Sequence, residues 1–201
     1  MRNIQHNRTS RAGFTLIELM IGVAVAGLIL GNLAMVVRTS TSAVESGVFG
    51  SNLEDRADRT MDRIALALMS TSVEKLDEVQ FAPNHVSAIE YEVIVDVIDG
   101  DPFEGTPERI EFQAQEGRIV WMRDPGAAEE MRNVWTRWVP GMLEGETPNG
   151  IDDNGNGLAD EEGLAFNRDL GQILVNLTLE REDSKKTVYV RSRSRRVTCR
   201  N

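Results

Sequence analysis

The sequence has little of the chemistry that enzymes use. It contains one cysteine and two histidines among 201 residues. The single Cys199 excludes an intrachain disulfide and a cysteine-based metal cluster. His6 lies in a basic N-terminal segment, and no serine or cysteine motif accompanies His85. We therefore expect that the chain is not an enzyme.

The chain also lacks the basic surplus of a nucleic-acid-binding protein. Its formal net charge is -10 and its pI is about 4.8, which argues against a polyanionic partner. Arg191, Arg193 and Arg195 share one face of a predicted C-terminal strand, but no aromatic residues alternate with them to stack on bases. We expect these arginines to pair with acidic strand residues such as Glu90 and Glu92, or with a neighbouring subunit, and we expect no nucleic-acid partner.

One long hydrophobic run stands at the N-terminus. Residues 1–13 carry three arginines and no acidic residue, and residues 14–37 form an apolar block in which Glu18 is the only charge. As a helix, these 24 residues would span about 36 Å, enough to cross a hydrocarbon core of about 30 Å. The basic leader 1–13 should remain in the cytoplasm while the remainder is exported. An uncleaved signal anchor fits this pattern equally well.

Glu18 distinguishes this segment from an ordinary anchor. A carboxylate inside a spanning segment is costly and usually marks a specific partner. Glu18 is the fifth residue of the apolar block. A positive charge at the same depth on a neighbouring chain would neutralise it, and cleavage after Gly13 would create such a charge at the amino group of Phe14.

The string Gly13-Phe14-Thr15-Leu16-Ile17-Glu18 resembles the cleavage and methylation motif of the type IV pilin and pseudopilin family. The resemblance implies that a prepilin peptidase cuts between Gly13 and Phe14 and N-methylates Phe14. It also implies that Glu18 aligns the subunit against the terminal amine of its neighbour. The competing interpretation is a signal-anchored, calcium-binding exported domain with no filament role.

Chain length, the stretch 59–68 and a strand-rich C-terminal half resemble the J-type minor pseudopilin of type II secretion. The family resemblance implies a structural, non-enzymatic subunit of a type IV pilus or a type II secretion pseudopilus. Such a subunit crosses the bacterial inner membrane once, with its C-terminal domain outside the cytoplasm. Its expected partners are the prepilin peptidase, other pilin or pseudopilin subunits and inner-membrane lipid.

The remaining sequence predicts an α+β domain in which a long helix packs on an antiparallel β-sheet. Apolar residues recur every three or four positions from Phe49 to Leu68, which predicts an amphipathic helix within residues 38–72. Alternating apolar residues predict strands around 89–97 and 173–179, and Glu116-Gly117 predicts a hairpin turn. The predicted organisation is a leader (1–13), a transmembrane helix half (14–37), an amphipathic helix half (38–72) and an exported domain (73–201).

An acidic loop, residues 149–163, has the spacing of a calcium-binding loop. With Asp152 at position 1, oxygen donors follow at alternate positions as far as position 9. The predicted donors are Asp152, Asn154, Asn156, the Leu158 carbonyl and Asp160. Position 12 is Gly163, so Glu161 or Glu162 would have to supply the last carboxylate. We expect structural calcium here; the alternative is a solvated turn, because Asn, Asp and Gly are common turn residues.

Overall fold

The computed structural model describes residues 13, 15–72, 76, 79–98, 101–169 and 171–200, except for the side chains of 42, 97, 101 and 102. The chain divides into two compact units, residues 1–47 and 48–201. Helix α1 (Leu16–Met69) contributes residues to both units.

The first unit contains the apolar part of α1. Its large apolar side chains, from Leu16 to Val37, are all exposed, from 77% at Leu16 to 49% at Val25. An 18-residue window within α1 has a mean hydropathy of 2.3, so this helix is long and apolar enough to cross a membrane. This surface needs lipid or other helices to remove it from water.

The second unit begins with the amphipathic part of α1. Leu53, Ala57, Ile64 and Leu68 are at most 1% exposed and recur at helical spacing. They belong to one core with apolar side chains from the strands that follow. The predicted α+β arrangement, a long N-terminal helix followed by antiparallel strands, is confirmed.

Four strands form the first sheet, in the order β1-β2-β3-β4 with antiparallel neighbours. The strands are β1 (Ala88–Ile98), β2 (Asp101–Gln113), β3 (Arg118–Arg123) and β4 (Met131–Arg137). Between β2 and β3, a 3-10 turn at Ala114–Glu116 ends on Gly117, whose φ is 57°. Glycine adopts this left-handed conformation without strain, so the hairpin lies where Glu116-Gly117 predicts it.

Three strands form the second sheet, in the order β5-β6-β7 and again antiparallel. They are β5 (Leu164–Asp169), β6 (Gln172–Glu182) and β7 (Val188–Val197). Val86 exchanges backbone hydrogen bonds with Phe166 of β5, so the segment before β1 extends this sheet. The core contains inward side chains of both sheets, including Ile110 and Val175.

Two arginines of β7 pair with the helix. Arg193 contacts Asp58 (2.5 Å) and Glu54 (2.8 Å), and Arg195 contacts Asp62 (2.6 Å). For Arg193 and Arg195, the prediction of pairing with acidic strand residues such as Glu90 was wrong. The acidic face of α1 is their partner because β7 lies beside it, and Glu90 pairs with Arg109 instead.

A buried polar network lies on the first sheet around Glu108, which is 8% exposed. Its Oε2 accepts hydrogen bonds from the Tyr91 hydroxyl (2.8 Å) and the Trp121 indole (2.9 Å). Its Oε1 accepts two from Arg123, at 3.1 and 3.0 Å. Burial, with the adjacent Glu108 charge, raises the pKa of Tyr91 well above its ordinary value.

Candidate functional site

The predicted processing bond lies at the edge of what the structure describes. Gly13 is exposed and precedes the first turn of α1. The leader residues 1–12 and Phe14 lie outside the described residues. The structure therefore places one side of the Gly13–Phe14 bond at an accessible position, immediately before the helix.

Glu18 forms a capping box with Thr15 at the start of α1. The Thr15 backbone N–H and hydroxyl both donate to Glu18 Oε2 at 2.9 Å. In return the Glu18 N–H donates to Thr15 Oγ1 at 3.3 Å. This reciprocal arrangement satisfies N–H groups that a helix start otherwise leaves unpaired. Glu18 thus has a local structural role that the sequence analysis did not predict.

The capped Glu18 is also electrostatically isolated. It is the only charged residue from Gly13 to Val37, and it is exposed on a surface of apolar side chains. In lipid, such a carboxylate needs a cationic or hydrogen-bonding partner beyond the helix itself. The site can therefore receive a positive group of another molecule at that depth.

Asp152 organises the centre of the acidic loop. Its Oδ1 accepts from the backbone N–H of Gly155 (2.6 Å) and Asn156 (3.2 Å), and its Oδ2 accepts from Gly157 (2.7 Å). Positive φ angles at Gly155 (77°) and Gly157 (93°) allow the chain to wrap around this carboxylate. Asp152 stands at the position that the calcium-loop pattern assigns to the first ligand.

The other predicted donors divide into two groups. Asn154 Oδ1 accepts from Asn156 N–H at 3.0 Å, and Asn156 Oδ1 accepts from Leu158 N–H at 2.9 Å; these residues stay close to Asp152. Asp160 has φ 53° and directs its carboxylate to the N–H groups of Asn149 and Gly150, each at 2.9 Å. Asp160 therefore holds the opposite end of the loop together.

Glu161 is the buried acid of the predicted set. It is 0% exposed, and its Oε1 accepts a hydrogen bond from the Asn156 side-chain amide. Burial raises its pKa, and the negative charges of Glu146 and Asp152 raise the pKa further. Glu162, the alternative last ligand, is only half-buried.

Gly163 occupies position 12, where a calcium loop usually carries a carboxylate. A Cβ at this residue would lie 2.3 Å from the Pro140 carbonyl oxygen and 2.7 Å from a Val139 methyl group. The Gly163 carbonyl also accepts from Thr178 N–H at 2.8 Å. Close packing against the preceding segment therefore requires glycine here, and any final carboxylate must come from elsewhere.

Glu146 is the acid that the sequence analysis missed. It lies outside the acidic loop in sequence, is 7% exposed, and accepts from Asn154 N–H through Oε1 at 3.0 Å. A backbone bond of 2.8 Å from Leu143 N–H to the Glu161 carbonyl holds its turn against the loop. Among the described residues, no three His, Cys, Asp or Glu side chains by themselves form a metal-binding group, so a cation here would also need amide or carbonyl oxygens.

The described structure is that of an α+β protein with a pilin-like layout, in which an exposed apolar helix segment precedes a β-rich domain. Residues 8–31 match the family model of the prokaryotic N-terminal methylation motif. This match is consistent with the type IV prepilin and pseudopilin family and supports a precursor of that kind, anchored in a membrane by its apolar helix. Comparisons with curated proteins and with solved structures found no match.

Proposed function

We propose that this chain is a structural, minor subunit of a type IV pilus or a type II secretion pseudopilus. Prepilin peptidase would cut between Gly13 and Phe14 and methylate the new amine. The subunit would then wait in the inner membrane, with residues 48–201 on the far side from the cytoplasm, before joining a filament through α1. The J-type minor pseudopilin is the subclass that its sequence features favour.

The observation that carries this proposal is a single carboxylate in an otherwise apolar, exposed helix start that matches the methylation motif. Lipid satisfies the apolar side chains but not Glu18. An ammonium group of a neighbouring subunit at the same depth would neutralise it. In a filament, the same apolar surface would be buried by neighbouring helices, which approach through van der Waals packing.

A second candidate function follows from the capping box. If the Thr15–Glu18 bonds are the whole role of Glu18, the motif region is a stable anchor and the chain is a membrane-tethered exported domain. The capping role needs only a hydrogen-bonding side chain, and glutamine supplies one at this helix position. The pairing role needs the negative charge. A filament subunit therefore loses assembly in a Glu18→Gln variant, whereas a membrane-tethered domain has no assembly to lose and stays anchored.

The test uses three variants of the full chain, expressed with its peptidase and partner subunits. If Glu18 pairs with a neighbouring subunit, Glu18→Gln and Glu18→Ala are no longer incorporated into filaments, although leader cleavage continues. Thr15→Ala keeps most of its incorporation because the Glu18 charge remains. For a membrane-tethered domain, neither the wild-type chain nor any variant is recovered with other subunits. Recovery of the tagged chain with other subunits is the measurement, and Glu45→Gln, an identical charge change farther along α1, is the matched control.

A further inference from the structure

Two buried glutamates at the acidic loop each have an oxygen without a hydrogen-bond partner. Glu161 is 0% exposed and Glu146 is 7% exposed. In both side chains Oε1 accepts a hydrogen bond from the loop, whereas Oε2 is buried and has none. Buried polar atoms are rarely left unpaired, and such an atom usually indicates a water or an ion.

These two carboxylates come from different parts of the chain but lie at one place. Glu146 bonds to the backbone of Asn154, and Glu161 bonds to the side chain of Asn156. Leu143 connects the two segments, because its N–H donates to the Glu161 carbonyl and its carbonyl accepts from Glu146 N–H at 3.0 Å. The fold therefore brings together Glu161, which belongs to the acidic loop, and Glu146, which lies outside that loop in sequence.

Two like charges in this environment require a counter-charge or a proton. An uncompensated buried carboxylate is strongly unfavourable unless it is paired, protonated or coordinated to a metal. Among the described residues, no lysine or arginine forms a salt bridge with either Glu146 or Glu161. The neighbouring oxygen atoms belong to carboxylate, amide and carbonyl groups, which are the ligands that a hard cation prefers.

We propose that Glu146 and Glu161, together with the Asn156 side-chain oxygen and carbonyl oxygens of the loop, bind one calcium ion. Oε2 of each glutamate supplies the charge, and the loop supplies the remaining oxygens. Glu146 and Glu161 take the place of the position-12 carboxylate that Gly163 cannot carry. Asp160, which holds the Asn149–Gly150 turn, is not a ligand in this proposal.

Calcium suits this donor set better than magnesium does. Calcium accepts six to eight oxygens in flexible geometry, whereas magnesium requires near-ideal octahedral coordination and keeps several waters. The bound ion would join the turn at 143–146 to residues 152–161. It would thereby order the long connection between β4 and β5 on the exported domain, independently of filament assembly.

Calcium binding is measured by equilibrium dialysis of the full chain in detergent, after chelator treatment, with radioactive calcium. We expect one ion per chain, with a Kd of about 10⁻⁴ to 10⁻³ M, as in extracellular calcium modules. Glu146→Gln and Glu161→Gln should each weaken binding at least tenfold. Asp153→Asn, which removes an exposed charge from the same loop, should leave the Kd within about twofold.

A thermal scan separates ligand loss from damage to the fold. Glutamine preserves the accepting oxygen that each glutamate uses in the structure and removes the unpaired charge. Without calcium, both variants should therefore melt at or above the wild-type temperature, but calcium should no longer raise their Tm. No binding by wild type at several millimolar calcium, an equal response to magnesium, or wild-type affinity in Glu146→Gln would overturn the proposal.

Discussion

Replacement of Glu108 by alanine tests the buried network of the first sheet. The Tyr91 hydroxyl loses its acceptor, which costs about 1–3 kcal/mol for a buried donor. Loss of the buried Cγ methylene group adds about 0.8 kcal/mol. Trp121 keeps an acceptor, since its indole N–H also reaches the Tyr91 hydroxyl at 3.2 Å, and Arg123, 45% exposed in its side chain, is solvated. The total loss in free energy of unfolding is about 3 kcal/mol.

Urea unfolding of the full chain in detergent, followed by tryptophan fluorescence, measures this loss. With an m-value of about 2 kcal/mol/M, Glu108→Ala should lower the midpoint by about 1.5 M. Glu108→Gln keeps the methylenes and one acceptor, so its shift should be about half as large. The control is Glu116→Ala, because Glu116 is an exposed glutamate of the adjacent turn and pairs with Arg118. If Glu108→Ala shifts the midpoint no more than this control does, the network contributes nothing and the reasoning is refuted.

Three further predictions use the same unfolding assay. Because the folded pKa of Tyr91 is raised above its ordinary 10.0, the unfolded state ionises first. The free energy of unfolding should therefore be unchanged below pH 10 and fall by about 1.4 kcal/mol per pH unit above it. Tyr91→Phe should flatten that slope, and an unchanged slope in this variant would assign the pH dependence to other groups. Gly163→Ala should lower the free energy of unfolding by about 1–3 kcal/mol through its clash with Pro140. Gly141→Ala is the control, because a Cβ there meets nothing within 4 Å, and it should change stability by less than about 0.5 kcal/mol. Equal effects of the two variants would refute the packing argument. Arg193→Ala should cost about 0.5–1 kcal/mol at low salt and less at high salt, because Glu54 and Asp58 are exposed partners; a loss independent of salt would indicate lost packing.

Periodicity predicted much of the fold because one face of each element is buried. The stripe from Leu53 to Leu68 and the alternation around Ile89 and Val175 follow directly from helix and strand geometry. Strand β5 was missed because its first four residues are all buried, so it shows no alternation. The partners of Arg193 and Arg195 were mispredicted because local pattern does not show which element lies beside β7.

The candidate sites, too, were predictable only where the signal lies in the local sequence. Glu18 stands out in sequence because one charge interrupts a long apolar run, whereas its bonds to Thr15 require helix geometry. The acidic loop is visible from its spacing, but Glu146 lies outside that spacing. It joins Glu161 only through the contact with Leu143, and a long-range contact of this kind leaves no local signal. The requirement for glycine at Gly163 likewise becomes clear only from the packing of Pro140 against it.

The central claim is that this chain is processed as a prepilin, and the chemistry of its mature N-terminus tests that claim most directly. Mass spectrometry of the chain isolated from membranes of cells with an active prepilin peptidase should find a terminal peptide that begins at Phe14 and carries one added N-methyl group. The same peptide should be absent when the peptidase is deleted. A chain that retains Met1 and residues 1–13 in the presence of the peptidase would contradict the account and favour the uncleaved anchor.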